Sequence, residues 1–346
     1  MQRTTLGRTG IEVSAWCLGT MTWGRQTAAQ DAHAQIERAF EAGIDFMDAA
    51  EMYPVNPVRP ETVGDTETII GDWFAASGRR DDWVLATKMT GADSSFVDQR
   101  PVTPETLRAA VEGSLRRLRT DRIDLYQLHW PSRGSYMFRQ NWRFDPTTQA
   151  PAMDDLHEMA EAMAGLIREG KIRAFGPSNE SAWGMTRWND ALRAAGVEAG
   201  VASVQNEYSL LFRLYDTDLA EASHQEGFTL LAFSPLAAGI LTDKYRGGAR
   251  PEGSRLAVGD GNLGGRFTER ALAATAAYTA LAERHGIDPV HMAMAFCAQR
   301  PFHTIPIFGA TTMEQLERLI AGIGVTLSGD LLEEIDEVHR AHPMPY

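Results

Sequence analysis

The chain has 346 residues, 44% apolar and 23% charged, which is enough apolar side chain for a large core and the charge content of an ordinary globular protein. Its formal net charge of −13, from 33 basic and 46 acidic residues, opposes binding to nucleic acid or to an acidic membrane face, while a local basic pocket can still hold phosphates. Two cysteines in apolar surroundings, Cys17 and Cys297, argue against a disulfide framework; with no signal-like stretch in MQRTTLGRTG and no run of membrane-spanning length, a cytoplasmic protein is expected.

The first predicted element is a hairpin over TLGRTGIEVS, placed to plug the floor of a barrel. A short β-like run at 16–19 then leads to a helix over 28–42, with Ile36, Ala39 and Phe40 on one face. The alternation continues: IDFMD (44–48) with a helix near 67–76, WVLATK (83–88) with a helix over 104–118, and DLYQLHW (124–130) with a helix over 154–169. IRAFG (172–176) precedes a helix over 182–195, VASVQ (201–205) one over 217–226, FTLLAFS (228–234) one over 269–285, and TIPIFG (304–309) one over 313–321. Short apolar runs bounded by Gly, Pro or charge suit strands buried on both faces, and strand alternating with helix implies parallel strands with right-handed crossovers. The expected fold is α/β: a single (β/α)8 TIM barrel domain within 1–346, its eight units covering roughly residues 15–325. An extra carboxyl-terminal helix is expected near 328–340. Two long loops break the rhythm, 131–152 after the fourth strand and 236–267 after the seventh; loops of that length in a compact domain are usually functional or disordered.

Active sites of such barrels lie at the carboxyl ends of the strands. Asp48 ends the second strand, Lys88 the third, and His129 comes near the end of the fourth; Ser178 and Asn179 follow the fifth, Gln205 ends the sixth, Ser234 the seventh, and Gly309 follows the eighth. Each has a plain structural explanation on its own: a cap, a solvated strand end, a satisfied core histidine, a surface aromatic for Tyr53. Together they form a chemistry. A tyrosine hydroxyl of pKa about 10 is a weak acid; an adjacent ammonium lowers that value, and a carboxylate behind the lysine holds the ammonium in place. A neutral histidine can orient a carbonyl oxygen. Such a set suits delivery of a proton to a carbonyl that accepts hydride, and the hydride has to come from a cofactor.

With these residues in these places the chain resembles the aldo-keto reductases, from LGRTGIEVSAWCLGTMTWG to FGATTMEQL, most nearly a bacterial Tas-like branch and more distantly the reductase-like β subunits of potassium channels. The resemblance implies the barrel fold, NADP(H) as cofactor, a small-molecule carbonyl substrate, and Asp48, Tyr53, Lys88 and His129 as the catalytic positions. The segments GPSN (176–179), QNEYS (205–209), FSPLAAGILTDKY (233–245) and GAT (309–311) match cofactor segments. On that basis Thr20, Met21 and Asp48 border the cofactor; Ser178, Asn179 and Gln205 meet the nicotinamide amide, and Tyr208 stacks on its ring. Phe233, Ser234, Pro235, Leu236, Gly239 and Leu241 follow the pyrophosphate, Lys244 and Arg255 supply positive charge, and Gly309, Thr311, Gln315 and Arg318 meet the adenosine 2′-phosphate end.

Departures from the family pattern are Pro54 and the insert VNPVRPETVGD after the tyrosine, Pro177 in place of a valine, and Leu319 where an Asn commonly contacts adenine. A pocket rimmed by Trp23, Tyr53, Trp130 and Trp142 would suit a flat or apolar carbonyl compound. Gly259, Gly261 and Gly264 spell GxGxxG, but no strand precedes them and no acidic residue ends a following strand, so they read as a mobile loop able to fold over the cofactor. His339 and His342 lack further ligands, so no metal is expected. Asn179-Glu180-Ser181 matches a glycosylation acceptor without a secretory signal to go with it. A barrel that binds NADPH as a slow sensor or regulatory subunit would carry the same four residues; a phosphate-binding isomerase or hydrolase would not need Tyr and Lys at these strand ends.

Overall fold

The computed structural model describes residues 1–55, 57–92, 94, 97, 100–133, 138, 140–148 and 153–346, with the side chains of 153 and 154 left aside. Strands β1 (Arg3–Thr5) and β2 (Glu12–Ser14) pair antiparallel. The hairpin turns Leu6, Ile11 and Val13 onto Phe46, Leu125, Leu231 and Ile305 inside the barrel, so it is the floor plug the sequence suggested. Gly7 in that turn has φ +50°, and a Cβ there would lie 2.5 Å from the Ala202 carbonyl oxygen, which reserves the position for glycine.

Eight parallel strands follow: β3 (Cys17–Gly19), β4 (Phe46–Asp48), β5 (Val84–Met89), β6 (Ile123–Leu128), β7 (Ile172–Pro177), β8 (Ser203–Glu207), β9 (Thr229–Phe233) and β10 (Thr304–Phe308). Their order is β7-β6-β5-β4-β3-β10-β9-β8. Across the remaining seam, Ala202 N–H donates to the Phe175 carbonyl (2.8 Å) and Asn179 N–H to the Gln205 carbonyl (3.0 Å), drawing β7 and β8 together. The close approach depends on Gly176, where a Cβ would meet the Ser203 carbonyl oxygen at 2.5 Å. This is the expected α/β barrel. The register sets Asp48 opposite Gly19 and Ala86, and Lys88 opposite Gln127, so the polar strand ends rise at one mouth.

The surrounding helices are α1 (Ala29–Glu41), α2 (Asp65–Ser77), α3 (Pro104–Leu118), α4 (Met153–Arg168), α5 (Ala182–Ala194), α6 (Asp218–Glu226), α7 (Arg255–Val258), α8 (Glu269–Arg284), α9 (Pro289–Ala298), α10 (Met313–Ile320) and α11 (Gly329–Ala341). Where a start signal is strong the boundary is sharp: α3 begins at Pro104 behind a Thr103/Thr106 capping box. Helix α9 was not expected. Its residues Met292 to Cys297 are all buried, so it lacks the polar face whose periodicity announces a helix. Strand β8 runs two residues further than VASVQ suggested, so Gln205 lies within the strand. The segment after β9 is ordered turns and a short helix, α7, not a featureless loop. Much of 131–152 lies outside the described residues. Among the described residues no helix is long and apolar enough to cross a membrane.

Candidate active site

The centre of the mouth is built on β4, β5 and β6. Lys88, wholly buried, directs its ammonium to three oxygens: Asp48 Oδ2 at 2.6 Å, the Ala49 carbonyl at 2.7 Å and the Tyr53 hydroxyl at 3.3 Å. An ammonium has three N–H groups, so all are used. Asp48 is nearly as buried, and its second oxygen accepts from Gln127 Nε2 (3.0 Å) and Gln205 Nε2 (2.9 Å). A buried ion pair persists only with its remaining hydrogen bonds met, and here they are. Tyr53 follows from the turn after β4, where its N–H donates to the Ala50 carbonyl. The His129 ring, the first residue past β6, lies 5.8 Å from the Tyr53 ring and nearly edge-on to it. All four expected catalytic residues therefore meet.

The electrostatics are less simple than expected. Burial pushes the Tyr53 phenol above its ordinary value; Lys88 pulls it down, Asp48 pushes it further up, and the net direction is up. Lys88 lowers the phenol as expected, but loss of water outweighs the ammonium. Burial by itself would lower Lys88, but Asp48 and Tyr53 overcome it and leave the ammonium firmly charged. Burial, seconded by repulsion from Lys88, drives His129 well below the usual histidine value, so its ring is neutral. Its Nδ1 has no hydrogen-bond partner among the described residues.

Asp48, Tyr53 and His129 border a cavity of about 530 Å³ that extends across the mouth. Thr20 and Met21 line it beyond β3, and Ser178, Asn179 and Gln205 line it over β7 and β8. Ser178 donates to the Gln205 carbonyl (2.7 Å) and Asn179 Nδ2 to the His129 carbonyl (2.8 Å). Phe233, Ser234, Pro235, Leu236 and Gly239 continue the wall past β9, where Ser234, Ala237 and Ala238 have positive φ. Such left-handed backbone is costly for side-chain-bearing residues and gathers at ligand sites. The lining is completed by Lys244, Arg255, Gly309, Thr311, Gln315 and Arg318, with Arg255 near enough to Tyr53 to pull its phenol down. Arg318 pairs through two bonds with Asp288 (2.9 Å each). Lys244 and Arg255 have no carboxylate within ion-pair distance among the described residues. Burial, together with neighbouring Arg266, pushes Arg255 down to about 10, still protonated at neutral pH. Partial burial of the Lys244 ammonium, with Arg255 and Arg318 adding repulsion, lowers that lysine. Asp260 offsets Arg255 only in part, so the positive groups here favour an anion.

Four expected positions are not at the cavity. Tyr208, expected to stack on a cofactor ring, is buried behind the wall; it stacks on Phe296 and its hydroxyl donates to Asp216 (2.5 Å). Leu241 is a core residue. Trp23 is wholly buried, donating to Gln35 (3.1 Å), and Trp142 points to solvent rather than to the rim. The aromatic wall is instead Trp130 with Phe138 edge-on to it, beside Met52 and Val55. Also unforeseen are three buried glutamates at the mouth, Glu51, Glu180 and Glu207, which hold Arg100, Arg133 and Arg266 from the loops above. An acid two or three residues beyond an apolar run, as in DAAE and SNE, was the available signal for the first two.

The comparisons with known proteins fit this geometry. Residues 15–340 match the model of the Aldo/keto reductase family. The chain belongs to that family. It is 42% identical to Protein tas of Escherichia coli (strain K12), over 100% of this chain and 99% of the relative. It is 32% identical to the uncharacterized oxidoreductase YrpG of Bacillus subtilis (strain 168), over 98% and 96%. A putative voltage-gated potassium channel subunit beta of Schizosaccharomyces pombe is 27% identical, over 98% and 93%. As an aldo/keto reductase the chain is an oxidoreductase of carbonyl compounds.

Proposed function

We propose that this aldo/keto reductase reduces aldehydes or ketones to alcohols with NADPH, the whole chain acting as one barrel domain in the cytoplasm, and that Tyr53 is the general acid. The observation that carries the reading is the buried Lys88 ammonium, shared among Asp48, Ala49 and the Tyr53 hydroxyl beside a neutral His129. The cavity fits an elongated phosphorylated dinucleotide. Lys244 and Arg255 line the cavity without an ion-pair partner among the described residues, and glycines open the wall: a Cβ on Gly239 would lie 3.0 Å from Lys244 Nζ, and one on Gly19 2.9 Å from Ile307 Cγ2. Ser178, Asn179 and Gln205 would hold the nicotinamide amide, Ser234, Leu236 and Gly239 the pyrophosphate, and Lys244, Arg255, Thr311, Gln315 and Arg318 the adenosine phosphate end. The reduced nicotinamide supplies hydride, which no side chain can.

Each residue of the centre has one task. Asp48 fixes Lys88 by an ion pair that burial shields from water. Lys88 favours the phenolate left when Tyr53 gives up its proton, so the burial that keeps Tyr53 protonated is offset at the moment of transfer. His129, neutral, orients the carbonyl oxygen toward Tyr53. Trp130, Phe138, Met52 and Val55 favour an apolar or flat carbonyl compound.

Tyr53→Phe removes only the hydroxyl. Quenching of NADPH fluorescence on binding should persist, while turnover of a reactive aldehyde falls by about 10²–10⁴-fold. Near-normal turnover would reduce Tyr53 to a surface aromatic. A second reading, a slow NADPH-binding regulatory subunit, is favoured by the likeness to a putative channel subunit; binding without useful turnover across a panel of aldehydes and ketones would select it.

A further inference from the structure

Gln127 is the penultimate residue of β6, wholly buried, in a strand whose other residues are mostly apolar. A buried primary amide has two N–H groups and an oxygen to satisfy, so its presence asks for a reason. Its Nε2 donates to Asp48 Oδ1 (3.0 Å), and its Oε1 accepts from Gln205 Nε2 (3.1 Å). Gln205 Nε2 also donates to the same Asp48 oxygen (2.9 Å). Three side chains from β4, β6 and β8 thus close a ring of hydrogen bonds across the barrel.

The ring admits one orientation of each amide. A carboxylate can only accept, so both glutamines must turn their nitrogens to Asp48. Gln127 then presents its oxygen to Gln205, which consumes the second Gln205 N–H. With both N–H groups used inward, Gln205 has only Oε1 left for the cavity it lines, and no described residue donates to that oxygen.

We infer that Gln127 is a positioning residue: it locks the Gln205 amide so that its oxygen alone faces the cavity, making the site selective for a ligand group that donates an N–H there. The lock ties this selectivity to Asp48, the same carboxylate that holds Lys88. This inference rests on the proposed nicotinamide site, whose carboxamide carries the required N–H.

The test compares binding of NADP⁺ with that of its 3-acetylpyridine analogue, in which a methyl ketone replaces the carboxamide, by quenching of protein fluorescence. The wild-type protein should bind the analogue roughly tenfold more weakly, the usual consequence of facing a buried acceptor with no donor. Gln127→Leu keeps the volume but removes both contacts, and the discrimination should shrink to about twofold or less as the second Gln205 N–H is released. A purely packing role would weaken both ligands alike and leave their ratio unchanged, which would overturn the inference. Gln127→Glu can reproduce both contacts only while protonated. Its oxygen accepts the Gln205 N–H in either protonation state, so the discrimination should persist at every pH even though the contact with Asp48 is lost on ionisation; a ratio that collapses to that of Gln127→Leu would count against the lock. If Gln127→Leu does not fold, the wild-type ratio and the glutamate variant still decide. Wild-type protein that binds NADP⁺ but does not discriminate would sink the lock alone, whereas failure to bind NADP⁺ at all would remove the cofactor reading and the lock with it.

Discussion

The two ends of the cavity handle charge in opposite ways. Around Asp48 and Lys88 every charge is matched inside the protein: one ammonium with three acceptors, one carboxylate with three donors, and almost no exposure to water. Around Lys244 and Arg255, positive groups crowd one another and none of the described carboxylates comes within ion-pair distance of either. The first arrangement is complete before any ligand arrives, so its geometry is part of the fold. The second keeps net repulsion between Lys244, Arg255 and Arg318, which Asp260 offsets only in part and an anion would relieve. On the proposed reading, chemistry that needs sub-ångström placement would sit on the completed region and affinity on the incomplete one.

The largest effect should come from breaking the completed region. Lys88→Met leaves a buried carboxylate without its cation, which typically costs about 3–5 kcal/mol. A urea titration should show this as a lowered midpoint, and turnover should fall by about the same 10²–10⁴-fold as for Tyr53→Phe. The turnover losses should not add in the double variant, since both act through one proton transfer. Adding Asp48→Asn to Lys88→Met should restore much of the stability, because no buried charge remains, while leaving the enzyme slow. Stability that stays low would mean the pair is not electrostatically coupled.

Breaking the incomplete region should do the reverse. Arg255→Ala removes a charge that burial and its neighbours disfavour, so folding stability should change much less than for Lys88→Met. NADPH binding should weaken roughly tenfold or more, since charge-assisted contacts are worth about 1.5–3 kcal/mol each. NADH should lose less if Arg255 faces the 2′-phosphate; equal losses would move Arg255 off that group. A large drop in stability with unchanged binding would show that the contrast between the two ends is misdrawn.

The completed region was also the more legible one. Asp48, Lys88 and His129 each close or follow an apolar run, and barrel topology alone carries such residues to one mouth. The strands and most helices announced themselves because each buries one face or both. What stayed hidden lacked a pattern. Helix α9 is apolar all round, so no period marks it. Tyr208 and Trp23 are amphipathic side chains that sequence places near the mouth, but only packing turns them inward, onto Phe296 and toward Gln35. Gln127 was visible as an amide within DLYQLHW, yet its meaning required Gln205 from a strand 78 residues further on. The sign of the Tyr53 shift depended on a balance between desolvation and two opposite charges, which spacing cannot weigh.

The smallest expected effect tests whether burial at the completed end keeps His129 neutral. In the folded protein its value lies well below the ordinary histidine range, first through burial and then through Lys88. The unfolded chain takes up a proton at this residue below about pH 6.5, whereas the native ring does not. The unfolded state therefore binds more protons in that window, and stability must fall as pH falls through it, by at most about 1.4 kcal/mol per pH unit from this group. Above about pH 6.5 both states are neutral and the dependence disappears. His129→Asn cannot titrate, so its stability should decline less steeply with acid between about pH 6.5 and the depressed native value. Two other histidines, the exposed His303 and the half-buried His339, are lowered too and contribute equally to both proteins, so the difference between the two curves isolates His129. Parallel curves would mean that His129 charges inside the fold. It would then stand beside Lys88 as a second cation, and the matched charges that distinguish this end of the cavity would no longer balance.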